Sequence, residues 1–312
     1  MGSFAVALNV VLPLVALMAI GYLSRELGWV SGGAFEQMNL LVFRVLLPCL
    51  LFYNIYASPF DEVIDAGLIA YGVAAVAVLF AACAFVARAL TSDPTKRGVA
   101  LQAMFRSNFI IFNLPVVQSL YGDRTGATTV LISVIAPVFN VLAVFALETS
   151  RSEKARAAAI ARSAATNPLI IATAAGLACS AAGIRFPAMA DQALGTVVGA
   201  ATPVALIILG GTFQRRSLKE NRRLLVPVTA VRLLAAPAVF LSGAVALGFR
   251  DVELLSLLML FGSPVAVSSF SMAQQMGGDS EFAGQIVLLT TAASVFTIFM
   301  WVSALNYFGL VK

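Results

Sequence analysis

The sequence predicts an all-α polytopic membrane protein with ten transmembrane helices in two halves of five. Three observations carry that reading. Of the 312 residues, 60% are hydrophobic and only 11% charged, where a soluble domain carries about 25% charge. The mean hydropathy is +0.94. Apolar runs close to the roughly 20 residues that cross a bilayer recur along the whole chain, separated by short loops holding the turn and charged residues.

Taken in order, the first run is Phe4–Leu23. It has no Lys or Arg before it and exceeds the apolar core of a signal peptide, so it is expected to remain as span one. Spans two and three are Phe35–Tyr56 and Ile64–Leu90, set off by the loops Arg25 to Gly33 and Ser58 to Asp65. Span four, Gly98–Leu120, follows the turn Ser92 to Arg97, and span five, Thr125–Leu147, follows Gly122 to Arg124. The loop Ser150 to Arg162 then divides the chain. Beyond it come Ala165–Ile184, Leu194–Phe213, Leu224–Leu247, Val252–Gln274 and Phe282–Tyr307. No loop is long enough for a soluble domain. The expected organisation is a first five-helix repeat over 1–149, a cytoplasmic linker over 150–164 and a second repeat over 165–312.

Orientation follows from Lys and Arg in the loops. The odd-numbered loops hold 13 of them, against 4 on the other side (Arg124, Arg185, Arg250 and Lys312), with Arg44, Arg106 and Arg232 inside spans. The odd loops are therefore expected in the cytoplasm and both termini outside, in a membrane such as the bacterial inner membrane. The basic pI of 9.4 reflects these loops and not a nucleic-acid surface.

The composition excludes much chemistry. There is no histidine, hence no His metal site, proton relay or Ser/His/Asp catalysis. Cys49, Cys83 and Cys179 stand alone in apolar runs without ligand spacing. No Asp or Glu falls mid-span. A membrane enzyme, a bound metal and a cofactor are all unsupported. A cation antiporter is disfavoured, because such proteins commonly place a carboxylate inside the membrane.

The most informative stretch is Phe105 to Asp123, which carries Asn108, Asn113 and Pro115 within an apolar span. Proline in a helix removes a donor and clashes with the carbonyl four residues earlier. Freed backbone groups are tolerated in a membrane only against protein or a wet cavity. A break beside Pro115 is therefore expected, facing a solute. The halves echo each other: Pro48 in span two matches Pro203 in span seven. Pro115 before Tyr121-Gly122-Asp123 matches Pro264 before Gly277-Gly278-Asp279. Five spans per half make the halves inverted, and paired Pro-interrupted spans in inverted halves point to a transporter's midplane site. Half-helices beginning after Pro115 and Pro264 would present positive dipole ends to an anion. Candidate contacts are Asn108, Asn113 and Asn140, with Ser263, Ser268 and Ser269 at the second break. The plainer reading of the serines is back-bonding or close helix packing. Asn54 and Arg44, one turn before Pro48, join the candidate set. Arg106 and Arg232 are expected to snorkel to lipid phosphates, the sharper alternative being that one of them draws in an acid.

The segment Asn-Phe-Ile-Ile-Phe-Asn-Leu-Pro-Val-Val-Gln-Ser-Leu-Tyr-Gly from Asn108 to Gly122 resembles the Asn-x-x-x-x-Gly-x-Pro…Tyr-Gly segment of the auxin efflux carrier family. That family includes bacterial permeases for malonate and other organic acids. Pro137-Val-Phe-Asn140, Asn39 to Pro48, Thr202-Pro203…Leu209-Gly210 and Ser263-Pro264…Gly277-Gly278-Asp279 are also similar. The resemblance spans essentially the whole chain. It implies that spans four and nine are broken and cross each other. Spans one, two, six and seven would form a scaffold that pairs into a homodimer, and spans three to five and eight to ten a moving transport domain. One position departs: Asn113 stands where the family carries Gly, which leaves the substrate open. The implied function is elevator-type carriage of small organic anions such as malonate or auxin-like carboxylates. The alternatives are a sodium-coupled symporter of bile-acid-symporter architecture, or a channel or sensor on the same fold.

Overall fold

A computed structural model describes residues 3–57, 65–151, 162–163, 165–214 and 218–311. The linker expected over 150–164 lies largely outside the described residues. So do most of the loop after span two and the arginines at 215 and 216.

Among the described residues the structure is all-helical, without strands. The helices are α1 (Ser3–Glu26), α2 (Gly32–Tyr56), α3 (Ala66–Leu90), α4 (Pro94–Phe105), α5 (Phe109–Tyr121) and α6 (Gly126–Arg151). They continue with α7 (Pro168–Ala181), α8 (Ala188–Thr212), α9 (Leu218–Ala246), α10 (Asp251–Gly262), α11 (Ser268–Gln275) and α12 (Ser280–Tyr307). Seven of these stretches (in α1, α2, α3, α6, α8, α9 and α12) are long and apolar enough to cross a membrane. The outer surface carries exposed Leu12, Ile20, Phe85, Val239 and Phe296, as a lipid-facing surface does when polar groups are satisfied inside.

Helix starts follow capping chemistry. Asp65 accepts from the amides of Gly67 and Leu68 ahead of α3, and Asp279 from that of Phe282 ahead of α12. Asp93 and Asn167 cap α4 and α7, each followed by Pro at the first helical position, where the missing N–H costs nothing. Prolines inside helices leave local marks. A π-turn at Val42–Leu46 in α2 precedes Pro48, and one at Val231–Ala235 in α9 precedes Pro237. Pro237 cannot donate to the Leu233 carbonyl, and the Trp301 indole Nε1 donates to it instead at 3.0 Å.

The helices fall into two packed groups. α1 lies along α8, and α2 along α7 and α8. The α1–α8 contact is backbone to backbone: a Cβ on Gly210 would fall 1.8 Å from the Met18 carbonyl oxygen, and one on Gly21 1.8 Å from that of Ile207. The second group contains α3–α6 and α9–α12, and α1 against α12 joins the two. At its centre lie α4 and α10, buried on every side from Gly98 to Phe105 and from Leu254 to Gly262. Both are buried all round over these residues, as interior helices are, and each ends where a stretch expected as one span is interrupted.

Candidate functional site

The stretches expected as spans four and nine are interrupted, the first between α4 and α5 and the second between α10 and α11. Residues 106–108 and 263–267 leave the helical conformation and pair as a one-bridge antiparallel contact, Ser107 against Val265. The Asn108 amide donates to the Pro264 carbonyl at 2.8 Å, and the Ala266 amide to the Arg106 carbonyl at 3.4 Å. The breaks therefore satisfy part of each other's backbone, which lipid would not.

Arg232 satisfies more of it. This side chain is fully buried. Its Nε donates to the Ser263 carbonyl at 2.9 Å, its Nη1 to those of Phe105 at 2.9 Å and Met104 at 3.4 Å, and its Nη2 to that of Leu260 at 2.9 Å. One guanidinium thus caps the C-terminal ends of both α4 and α10. The expected snorkelling is overturned for Arg232, because the orphan carbonyls of two helix ends bind it inside the protein. It is overturned for Arg106 as well, which is 4% exposed. Arg106 Nη2 donates to Asn140 Oδ1 at 2.7 Å, and its Nη1 lies 2.9 Å from Met272 Sδ.

Beside the crossing is a cavity of about 80 Å³. A water needs roughly 10–15 Å³ of such space, so the cavity admits several waters or a small solute. Its two walls differ. The wall from the breaks and α6 presents Arg106, Ser107, Asn108, Asn140 and Ser268. The wall from α2, α7 and α8 is mostly Leu and Ala, with Asn54 and Thr202 the polar exceptions.

The polar wall is a donor wall. An arginine only donates, so the Asn140 oxygen must face Arg106, which leaves Asn140 Nδ2 as a donor. That nitrogen, Asn108 Nδ2 and Ser107 Oγ are buried without a partner among the described residues. Asn108 stands at the N-cap of α5 without a side-chain cap bond, and α11 begins at Ser268. Two positive helix ends therefore flank the cavity, Arg106 carries a full charge, and among the described residues no carboxylate lines it. Such an arrangement attracts an anion.

The structure brings Asn108, Asn140, Ser268 and Asn54 to this cavity, and the other predicted residues elsewhere. Ser263 and Pro264 are buried in the second break but do not line the space. Ser269 is buried behind it with an unpartnered hydroxyl. Arg44 is exposed on the α2 π-turn. Asn113 is 0% exposed within α5, with both amide atoms unpartnered, and is absent from the cavity wall. Pro115 lies inside α5, which continues through it. The expected break at Pro115 is thus corrected: the chain unwinds before Phe109. An internal proline frees little beyond the carbonyl four residues earlier, here that of Ile111, and a helix can run on past it. Ser107 and Thr202 were missed, since isolated hydroxyls in apolar runs carry little signal. Arg106 was visible as a charge within a span and Asn140 as an amide within another, but the bond between them was not.

A cavity at paired helix breaks, walled by two groups of membrane helices, defines a membrane transport protein. The chain belongs to that class by descent: residues 6–302 match the family model described as "Membrane transport protein", the auxin efflux carrier family. A protein of Rhizobium meliloti (strain 1021) named "Putative malonate transporter" is 27% identical over 301 residues, covering 93% of each chain. A protein of Methanothermobacter thermautotrophicus named "Uncharacterized transporter" is 24% identical over 303 residues, covering 93% of this chain and 96% of its own. The family is one of integral membrane transporters and not of enzymes.

Proposed function

We propose that this protein is a carrier of small organic anions, with malonate the first substrate to test, and that the cavity at the crossing is its binding site. The observation that carries the reading is the asymmetry of the walls. The donors (Arg106, Asn108 and Asn140) all lie on one group of helices, and the facing wall on α2, α7 and α8 is mostly apolar. A solute held by the donor wall can slide past an apolar surface without breaking strong bonds to it. That favours an elevator in which α3–α6 and α9–α12 move against a scaffold of α1, α2, α7 and α8. The recurrence of a broken span as the fourth of each five supports two inverted five-helix repeats, ten spans in all. The scaffold is the surface for a homodimer, and both termini lie outside. The small cavity favours a short dicarboxylate over an indole-bearing acid. The name of the Rhizobium relative supports the same substrate class.

The test is counterflow. Proteoliposomes loaded with unlabelled malonate should accumulate labelled malonate transiently above equilibrium, and Asn108→Ala should need about tenfold more malonate to do so. Unsaturable flux without counterflow contradicts a carrier and favours a channel. Counterflow by a neutral solute alone contradicts the anion assignment.

A further inference from the structure

Where two half-helices end at one point in a membrane protein, their carbonyls make a cation site. Each end carries roughly half a negative charge, and unwound carbonyls and C-terminal helix ends hold the sodium of many coupled carriers. In this chain the ends of α4 and α10 converge, and the place is filled. Four carbonyls, those of Met104, Phe105, Leu260 and Ser263, accept from the single guanidinium of Arg232 at 2.9–3.4 Å. Met104 and Phe105 close α4, Leu260 lies in the last turn of α10, and Ser263 is its C-cap.

We propose that Arg232 is a tethered cation standing in the site where a coupled carrier would bind sodium, so that transport by this chain is independent of sodium. Arg232 is a positioning residue: it does not line the cavity, and it acts by holding the two breaks in register behind Arg106 and Asn108. Three features support the assignment. All four hydrogen bonds go to main-chain carbonyls at half-helix ends, the groups that hold sodium in coupled carriers. The side chain is wholly buried, so a lipid phosphate does not hold it. The π-turn Val231–Ala235 carries Arg232, the kind of bulge that often marks a functional position. The link to transport rests on the anion-carrier reading above, whereas the site itself does not.

Removing the side chain should leave a vacant carbonyl site that takes a free cation. The experiment uses the purified full-length parent, Arg232→Ala and Arg232→Lys at constant ionic strength in sodium, potassium, choline or low-millimolar guanidinium chloride. Thermal unfolding and malonate uptake into proteoliposomes are both read. The parent should be indifferent to replacing sodium by choline. Arg232→Ala should lose at least about tenfold in uptake in choline and unfold at lower temperature. Guanidinium, or sodium to a lesser degree, should restore part of both. Arg232→Lys should retain part of the uptake, still without sodium. A parent whose uptake collapses in choline overturns the proposal, as does an Arg232→Ala protein that guanidinium affects no more than choline does. Should Arg232→Ala fail to reach the membrane, the parent's sodium response and the Lys variant decide alone. If the parent carries no acid at all, the anion reading fails, while guanidinium-specific stabilisation of Arg232→Ala still stands or falls by itself.

Discussion

The two breaks that meet at the crossing are built differently. The second contains its proline: Pro264 lies in the extended stretch, and its carbonyl accepts from Asn108. The first contains none, and its nearest proline, Pro115, sits well inside α5. Yet both inner helices end against the same guanidinium. Proline therefore does not place these breaks. What they share is a buried cation for their carbonyls and each other's backbone for their amides, and those are tertiary contacts. The helix starts differ too: α4 is capped by Asp93, whereas α10 has no side-chain cap and ties its first amide to the Leu310 carbonyl at 3.0 Å.

That contrast gives a graded set of perturbations. The largest effect belongs to the shared element. Arg232→Met keeps much of the volume and leaves four carbonyls without their donor. Hydrogen bonds to a charged group are worth about 1.5–3 kcal/mol each, so the variant should lose several kcal/mol of stability, seen as a steep fall in unfolding temperature in detergent. Next comes Asn108→Ala at the donor wall. Asn108 Nδ2 has no protein partner, so stability should change little. Malonate affinity measured by calorimetry should fall about tenfold, or about 1.4 kcal/mol.

The prolines come third and sharpen the comparison most. If prolines placed the breaks, Pro264→Ala would heal one and damage the site. The pairing and Arg232 instead predict that Pro264→Ala and Pro115→Ala both keep malonate affinity within about twofold. Pro115→Ala should be neutral or stabilising, by up to about 1 kcal/mol, as the Ile111 carbonyl regains a donor.

The remaining perturbation is at the cap of α4 and acts on stability alone. The Thr95 hydroxyl, then the Thr95 and Lys96 amides, hold the exposed Asp93 carboxyl below its usual range. A depressed carboxylate contributes stability that is present above its unfolded value and lost as pH falls through the folded one. Asp93→Ala should cost about 1 kcal/mol near neutral pH, and unfolding curves of variant and parent should converge in acid below the normal Asp range.

The sequence revealed the spans more readily than the breaks. Apolar runs and their polar interruptions report directly on bilayer thickness, so the helices sit close to the predicted spans. The breaks depend on contacts that a local pattern does not encode. Arg232 lies 28 to 128 residues from the carbonyls it binds, and a main-chain carbonyl leaves no mark on residue identity. Asn108 and Asn140 were legible because an amide in an apolar run is costly and therefore informative. Asn113 met the same criterion and is buried away from the cavity, which shows that the criterion finds interior polar groups and not solute contacts as such. Ser107 and Thr202 carry hydroxyls that membrane helices use everywhere, and only the fold distinguishes them.

The central claim is that a donor wall around Arg106 binds an anion, and Asn140→Asp tests it most directly. The change is nearly isosteric, and the new carboxylate faces a guanidinium now 2.7 Å from the asparagine oxygen. It should neutralise Arg106 while keeping the fold. Calorimetric titration of malonate into the parent and this variant should give saturable binding for the parent and at least about a tenfold loss for Asn140→Asp, with unfolding temperatures similar. Equal malonate affinity in the two folded proteins would contradict the account and move the anion site away from the crossing.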